Sequence, residues 1–309
     1  MNFIKMSYSL FECLHSYSIS SPKQLRYLAK RSYKGDLNLI VKKIKKQLRD
    51  EFSYDIFKSL ILFHYLCRNG SPQIFNEVEQ ISYYNKNAPT KVFQPDNSKF
   101  SYWAESYSTV LQQSLTFHRK YQIFTGRYKI PRGETLPENF QNVDIIAQME
   151  TELFTMFKAY TDYIGAFFEK QTNNKILQQS IELAVQEVMD LYSTLNDIAN
   201  YKAMLLQRRI DTSNLHFCKQ EIEHIKKTLE TPLLSIPKIK DIPPINHIKL
   251  GTSESKIFMM SYPLPLSLQN EVTSPLPTKH KKHHGSHKEK RPRSKGTPLI
   301  NLDCAILLD

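Results

Sequence analysis

Glycine is scarce in this sequence, and proline is concentrated towards its end. Only 8 of the 309 residues are glycine, and most of the 16 prolines follow residue 231. An all-β sandwich or barrel needs frequent glycine-containing turns between its short strands. Long stretches of this chain contain no turn signal. The composition therefore argues against an all-β fold and favours a largely helical one.

Cysteine is also sparse, and the four cysteines form no pattern. Cys13, Cys67, Cys218 and Cys304 are spread through the chain without a CxxC pair or a regular spacing. This distribution fits a reducing compartment better than a disulfide framework. We therefore expect a cytoplasmic protein in which the cysteines are buried packing residues and bind no metal.

The sequence lacks a membrane-spanning run and the common catalytic motifs. Its most apolar stretch, Ile56 to Cys67, is too short and too polar to cross a bilayer, so any membrane contact is predicted to be peripheral. No Walker loop, GxGxxG, HExxH or GxSxG motif occurs. His64 and His118 have no cysteine or carboxylate partner at ligand spacing. These absences predict a non-enzymatic protein without a cofactor.

What the sequence does contain is an excess of positive charge. Its formal net charge is +12, with +6 in residues 1–231 and +6 in residues 232–309. Such an excess favours polyanionic partners, either nucleic acid or a membrane leaflet that carries anionic lipids. Charge alone does not distinguish these partners, but it shows that the N-terminal part is basic in its own right.

Two basic helical segments follow each other near the N-terminus. Ser21 followed by Pro22 predicts a helix start, because serine is a favoured N-cap and proline is favoured in the first turn. Gly35 and Asp36 are predicted to end this helix and to cap the next one. In both segments apolar residues recur at helical spacing on one face, and basic residues lie on another. The basic residues are Lys23, Arg26, Lys30, Lys34, Lys42, Lys43, Lys45 and Lys46.

A third helical block covers residues 53–69, which are apolar on nearly every side, as expected of a central helix. Asn69-Gly70 is predicted to cap its C-terminus. The later helical blocks are predicted at 71–84, 99–127, 142–170, 174–208 and 212–231. The long helices between residues 142 and 208 are expected to pack as antiparallel neighbours. The predicted fold is therefore all-α, a superhelical stack of about eight or nine helices.

The composition changes after residue 231. Prolines recur among serines and threonines in residues 232–278, which predicts a disordered linker. Residues 279–297 form a basic low-complexity segment rich in lysine, arginine and histidine. Residues 298–309 are apolar again but too few to form a core. The predicted organisation is one helical domain in residues 1–231, followed by a disordered tail.

Several of these segments resemble the ANTH domain, which belongs to the ENTH/ANTH/VHS superfamily and occurs in clathrin assembly proteins. The resemblance rests on Ser21–Arg26 (SPKQLR), Phe57–Leu66 (FKSLILFHYL) and Tyr107–Leu111 (YSTVL), with a basic corner at Lys129–Gly133. In the second segment a central helix, a Lys58 expected to be exposed and a following glycine lie at the family's distance from the first. The resemblance implies a phosphoinositide-binding helical domain.

The resemblance also implies a headgroup site, of which this sequence keeps only part. The family's cluster is written as lysine, nine residues, lysine, one residue, lysine or arginine, and then histidine or tyrosine. Lys23 stands at its second position and Arg26 at its last, whereas Cys13 and Leu25 stand at the other two and cannot bind phosphate. We therefore expect the eight basic residues of the first two segments to form a broad lipid-binding surface. Each contributes on the order of 1 kcal/mol near an anionic leaflet.

The C-terminal segment contains a motif of the clathrin-box type. It consists of Leu299, Ile300, Asn301, Leu302 and Asp303. Alternate apolar side chains of such an extended peptide fill pockets of a groove, while its carboxylate meets a basic rim. With the family resemblance, this motif predicts an endocytic adaptor that binds clathrin heavy chain and anionic phosphoinositides. The expected location is peripheral on the plasma membrane, in clathrin-coated pits and vesicles, or on endosomal or Golgi membranes.

Two other interpretations stay open from the sequence. The clusters Lys279–His284 and Lys288–Lys295 have the form of a bipartite nuclear import signal or an RNA-binding tail. They contain no aromatic residue for stacking on bases, which argues against nucleic acid as the partner. The second alternative keeps the fold and makes the helical domain an adaptor for SNARE proteins or other cargo on endosomal or Golgi membranes.

Overall fold

The computed structural model describes most of the chain up to residue 245. The described residues are 2–15, 19–48, 53–77, 98–124, 126–128, 142–170, 174–206, 209–230, 239 and 242–245. Within them the chain forms eight α-helices, a kinked π-type turn at Ser32–Asp36 and a 3-10 helix at Pro72–Glu77, and no strand. The α-helices are α1 (Asn2–Leu14), α2 (Pro22–Arg31), α3 (Leu37–Gln47), α4 (Ser53–Asn69), α5 (Ser98–Lys120), α6 (Val143–Glu169), α7 (Lys175–Leu206) and α8 (Ser213–Leu229). The predicted all-α fold is confirmed for this part of the chain.

The first helix, α1, precedes the helix start predicted at Ser21. Its inner face consists of Met6, Leu10, Cys13 and Leu14, which recur at helical spacing and are at most 4% exposed. Through this face α1 packs against α2, α3 and α4. Helix α1 was not predicted, since it lacks a serine–proline start signal, although its apolar spacing is helical.

The start of α2 follows the predicted capping pattern. The Gln24 N–H donates to Ser21 Oγ at 3.2 Å, and the Ser21 N–H donates to Gln24 Oε1 at 3.1 Å, which together form a capping box. Gly35 has a φ of +87°, a left-handed conformation that allows the chain to turn into α3. Asp36 differs from its prediction, because its side chain makes no cap hydrogen bond and pairs instead with Arg31.

The central helix α4 is confirmed, but Lys58 within it is not exposed. Lys58 is only 2% exposed, and its ammonium donates to the carbonyl oxygen of Glu12 at 3.1 Å. That carbonyl belongs to the last turn of α1, where helical carbonyls have no intrahelical partner. Burial lowers the pKa of Lys58. The lysine therefore joins α4 to the end of α1 and is unavailable to a ligand.

Gly70 ends α4 at a point of close approach. A Cβ at this position would lie 2.6 Å from the carbonyl oxygen of Leu66 and 2.9 Å from Ser32 Oγ. Ser32 Oγ accepts a hydrogen bond from the Ser71 N–H at 2.8 Å, so the turn before α3 and the end of α4 are held together. Any larger residue at position 70 would force these elements apart.

The middle of the chain departs from the predicted helical blocks. The block predicted at 71–84 appears as the 3-10 helix Pro72–Glu77, with residues 78–84 outside the described residues. The helix predicted at 99–127 ends at Lys120. After it the chain turns through Gly126, whose φ is +78° and whose Cβ would lie 1.9 Å from the carbonyl oxygen of Cys67. The path of the chain after α5 is therefore set by this close contact, which requires glycine, and not by helical periodicity.

The long helices α6 and α7 share the most extensive interface among the described elements. Glu150, early in α6, pairs with Lys202, late in α7, at 2.7 Å. Tyr163, late in α6, forms a 2.7 Å hydrogen bond with Ser180, early in α7. Opposite ends of the two helices therefore meet. The predicted antiparallel packing is confirmed.

A buried polar network joins α4, α5 and α7. His64 Nε2 lies 2.7 Å from Glu187 Oε1, and His64 Nδ1 lies 2.5 Å from the Tyr107 hydroxyl. Arg68 contacts Glu187 at 2.6 Å and Asp190 at 2.9 Å. Although burial opposes it, the positive charge of Arg68 and the hydrogen bond from His64 lower the pKa of Glu187 to about 2. Because the ionised carboxylate only accepts, Nε2 of His64 carries a proton and donates it to Glu187.

The cysteines of the described residues are buried and unbridged, as predicted. Cys13, Cys67 and Cys218 are free thiols that are at most 6% exposed. Burial raises the pKa of Cys13 to about 11, so this thiol stays protonated at neutral pH. Cys304 lies outside the described residues.

A short segment after α8 packs back onto the helical domain. We call it the strap, and it comprises Ile239 and residues 242–245. Ile239 is 7% exposed, and Ile242 and Ile245 are partly buried against the core. These residues lie within the predicted linker 232–278, but here they are docked. Proline prevents a helix in this segment, yet it does not prevent an extended chain from packing on a neighbour.

Candidate functional site

The exposed face of α2 carries a row of cations. Lys23, Arg26 and Lys30 are exposed, whereas Leu25 and Leu28 on the opposite side are buried. The spacing of three and four residues places the three cations along one side of the helix. The row is therefore displayed by a helix whose other face is fixed in the core.

A second group of cations extends from the turn into α3. Lys34 is exposed in the turn, and Lys42, Lys43 and Lys46 are exposed on α3. Lys45 differs from its prediction, because it is half-buried and its Nζ lies 2.6 Å from Glu77 Oε2. Its charge is balanced within the protein. We call the row on α2 together with Lys34, Lys42, Lys43 and Lys46 the basic surface.

The N-terminus of α2 contributes less to anion binding than a bare helix end would. Pro22 has no N–H, and the Gln24 N–H is engaged by the Ser21 hydroxyl. Of the first three helical residues, Lys23 alone keeps an N–H to offer an anion. The side-chain charges therefore dominate the electrostatics of the basic surface.

The two positions that depart from the family's headgroup pattern lie inside the domain. Cys13 is fully buried, and Leu25 is 5% exposed. Neither side chain faces solvent, so an ordered four-residue headgroup cluster of the family's kind is absent from the described structure. The surrounding cations of the basic surface remain exposed.

Two further cations that the sequence analysis did not select border the basic surface. Lys5 on α1 is exposed, and its Nζ lies 5.1 Å from the centroid of the Tyr27 ring on α2. Arg127 donates to Asn69 Oδ1 at 2.7 Å at the end of α4. Burial raises the pKa of Tyr65, and the positive charges of Arg26 and Arg127 act against this rise.

On α1, which packs against α2, a row of large apolar side chains is turned to solvent. Ile4 is 78% exposed, Tyr8 61% and Phe11 57%, and their spacing places them on one side of the helix opposite its buried face. Lys5 lies at the flank of this row and reaches Tyr27 of α2. We call these three side chains the apolar row.

The remaining predicted site residues lie outside the described residues. These are Leu299, Ile300, Asn301, Leu302 and Asp303, together with the basic segment 279–297 and the corner Lys129–Gly133. Among the residues that the structure does describe, no group of three or more histidine, cysteine, aspartate or glutamate side chains could hold a metal ion. None of the described helices is both long enough and apolar enough to cross a bilayer.

Comparison with known proteins supports the fold that positions this surface. Residues 26–230 match the family model of the ANTH domain. The chain is similar to the ENTH domain from epsin-2 in complex with phosphatidylinositol 4,5-bisphosphate, with 16% identity, a TM-score of 0.58, and coverage of 77% of this chain and 99% of that one. It is also similar to the endocytic adaptor complex AENTH, with 15% identity, a TM-score of 0.62 and the same coverage. No curated protein matches the sequence.

Proposed function

Since this chain belongs to the ANTH-domain family, we propose that it is a non-enzymatic membrane adaptor. In this proposal the basic surface docks on the cytosolic leaflet of phosphoinositide-containing membranes. The peptide Leu299–Asp303 recruits clathrin heavy chain, so that the protein raises the local concentration of coat at the membrane. Its proposed location is peripheral, on the plasma membrane in clathrin-coated pits and vesicles.

The observation that carries this proposal is that exposed cations and the apolar row lie on helices that pack against each other, α2 and α1. A nucleic acid binds cations through its phosphates and aromatic rings through stacking on its bases, but it offers no apolar phase for an aliphatic residue such as Ile4. A membrane interface binds both exposed cations and exposed apolar side chains, because the cations attract anionic headgroups while the apolar side chains enter the acyl boundary. The combination therefore favours a lipid surface over nucleic acid as the partner of the helical domain.

The expected binding is driven by charge and is not tied to one arrangement of phosphates. A structurally similar ENTH domain forms a complex with phosphatidylinositol 4,5-bisphosphate, which supports phosphoinositides as the class of lipid. In this chain, however, Cys13 and Leu25 replace two headgroup ligands with core residues. We propose that affinity follows the total negative charge of the leaflet more closely than the position of each phosphate.

Liposome co-sedimentation tests the lipid half of the proposal. The full chain is compared with a Lys23→Glu/Arg26→Glu/Lys30→Glu variant on vesicles with and without phosphoinositide. A control variant, Arg209→Glu/Lys219→Glu/Lys227→Glu, carries the same change of net charge on and just before α8, which does not belong to the basic surface. We expect the first variant to lose at least ten-fold in binding and the control to resemble the parent. Equal pelleting of all three proteins would remove the proposed docking surface.

A further inference from the structure

The strap belongs to a sequence pattern with a period of three. Ile239, Ile242 and Ile245 are the three strap residues packed against the core. In the sequence the same spacing continues to apolar residues on both sides, at Leu233, Ile236 and Ile248. A period of three fits neither the 3.6 residues of an α-helix nor the two of a β-strand. It is the period of polyproline II helix, in which every third side chain lies on the same side.

Pro243 and Pro244 prepare the strap for that conformation. Each proline fixes its φ near −65° and has no N–H, and a residue that precedes proline is driven towards extended backbone. In the Ile242-Pro-Pro-Ile245 segment, the two prolines therefore have carbonyl oxygens that accept hydrogen bonds but no N–H groups that donate them. Such a segment needs donors from elsewhere.

Helix α7 supplies two such donors one turn apart. The Tyr192 hydroxyl donates to the carbonyl oxygen of Pro243 at 2.9 Å, and Asn196 Nδ2 donates to that of Pro244 at 3.1 Å. Tyr192 and Asn196 are at most 1% exposed. Two buried polar side chains thus meet two consecutive proline carbonyls, while isoleucines on either side of the prolines pack on the core.

We propose that α7 carries a binding site for an extended, proline-containing peptide with isoleucine at every third position. The occupant is the strap of the same chain. Nine residues, 230–238, separate the end of α8 from Ile239 and reach up to roughly 30 Å when extended, and they keep the strap attached to its own domain. Tethering gives the strap an effective concentration in the millimolar range, which favours the chain's own segment over a free peptide.

Peptide binding to a vacated site tests this proposal without membranes or clathrin. The vacated protein is the full chain with Ile239→Ser/Ile242→Ser/Ile245→Ser, and the probe is a fluorescent synthetic peptide of residues 238–248. Fluorescence anisotropy should detect binding to the vacated protein at least ten-fold tighter than to the parent, whose site is occupied. Adding Tyr192→Phe and Asn196→Ala to the vacated protein should weaken binding by about 25-fold, five-fold for each hydrogen bond. Adding Tyr201→Phe, a half-exposed tyrosine on the same helix, should leave binding unchanged.

A second measurement uses the otherwise unchanged chain. Tyr192→Phe keeps the aromatic ring and should accelerate tryptic cleavage after Lys240 by about five-fold, whereas Tyr201→Phe should not. Equal peptide binding by the parent and the vacated protein, or identical cleavage rates for the two tyrosine variants, would overturn the proposal. A parent dimer with exchanged straps would overturn intramolecular occupancy.

Discussion

At the scale of single residues, the network around Glu187 concentrates ionic contacts in the core. Glu187 is 1% exposed and meets both His64 and Arg68. Removing one partner of a buried ion pair leaves the other charge buried without compensation, which costs about 3–5 kcal/mol. Stability therefore depends strongly on this one carboxylate.

We accordingly expect Glu187→Ala to lower the free energy of unfolding by about 3–5 kcal/mol, because Arg68 would keep its charge in the core with one carboxylate fewer. Urea denaturation followed by circular dichroism measures the change. Glu223→Ala, at an exposed position of α8, serves as the control and should change stability by less than about 0.5 kcal/mol. Similar values for both variants would contradict the central role of the network.

His118 should make stability depend on pH below neutrality. Burial lowers its pKa from 6.5 to about 4, so the folded state holds it neutral while the unfolded state takes up a proton first. The contribution of neutral His118 to the free energy of unfolding is complete above pH 6.5 and is lost as the pH falls towards 4. At pH 5 the free energy of unfolding should have decreased by about 2 kcal/mol. In the fold its Nδ1 donates to the carbonyl oxygen of Phe124 at 3.2 Å.

The matched variant is His118→Asn, whose amide can donate the same hydrogen bond but does not titrate. Denaturation curves at pH 7 and pH 5 should show the parent losing about 2 kcal/mol more than this variant. A parallel loss in both proteins would assign the pH dependence to other groups.

The sequence predicts which cations are exposed where a helix has one apolar and one polar face, as at Lys23 and Lys42. It fails at Lys58 and Lys45, since their partners, the Glu12 carbonyl and the Glu77 carboxylate, come from distant segments. Periodicity along one helix contains no information about such contacts. For the same reason Arg127, which lies in a turn, was not selected for the basic surface.

At the scale of elements, α1 has two faces with separate roles. Its inner face holds the helix against α2, α3 and α4, whereas the apolar row contributes little to the core because its side chains are mostly exposed. Changes in the apolar row should therefore alter membrane binding without altering the fold. This separation makes the helix a suitable place to test the proposed function.

We expect Ile4→Ser/Phe11→Ser to weaken binding to phosphoinositide vesicles by about ten-fold, since two side chains lose the gain of entering the acyl boundary. Leu205→Ser/Phe217→Ser, which alters two exposed apolar residues on α7 and α8, is the control and should bind as the parent does. Co-sedimentation supplies the affinities, and thermal unfolding checks that both variants stay folded. Undiminished binding by the first variant would exclude the apolar row from the membrane contact.

Helix starts with strong local chemistry are predicted well from sequence, and weaker ones are not. Ser21 and Pro22 mark α2 correctly, and the long apolar periodicities locate α6 and α7 to within a few residues. The end of α5 is overestimated, because the turn at Gly126 is fixed by its approach to Cys67. Three-dimensional contact, rather than local propensity, decides where that helix ends.

At the scale of the whole molecule, the proposed function assigns lipid binding and clathrin binding to two separate segments of the chain. The basic surface lies on the N-terminal helices, while the clathrin-type peptide lies near the C-terminus. Leu299→Ala/Leu302→Ala should therefore abolish capture of purified clathrin and leave vesicle binding unchanged, as measured by pull-down and co-sedimentation on the same protein. Unchanged clathrin capture by this variant would refute the assignment of Leu299–Asp303.

The fold as a whole was predictable because helical periodicity and the segments that resemble the ANTH domain can be read locally, even though the similar solved structures are only 15–16% identical. The site was predictable only in part. The sequence identified the cations of α2 and α3, but α1, with its apolar row, lacks the start signal on which the prediction depended. The docking of the strap was not predicted, because its isoleucines lie among prolines, and a proline-rich composition by itself predicts disorder.

The strap is also held at a defined distance from the entrance to α2. Gln179 of α7 donates to the Ser20 carbonyl at the entrance to α2, and Tyr192, which holds the strap, lies thirteen residues further along the same helix. At 1.5 Å per residue the two anchor points are about 20 Å apart. Helix α7 thus acts as a rigid spacer that keeps the segment entering α2 apart from the segment that follows α8.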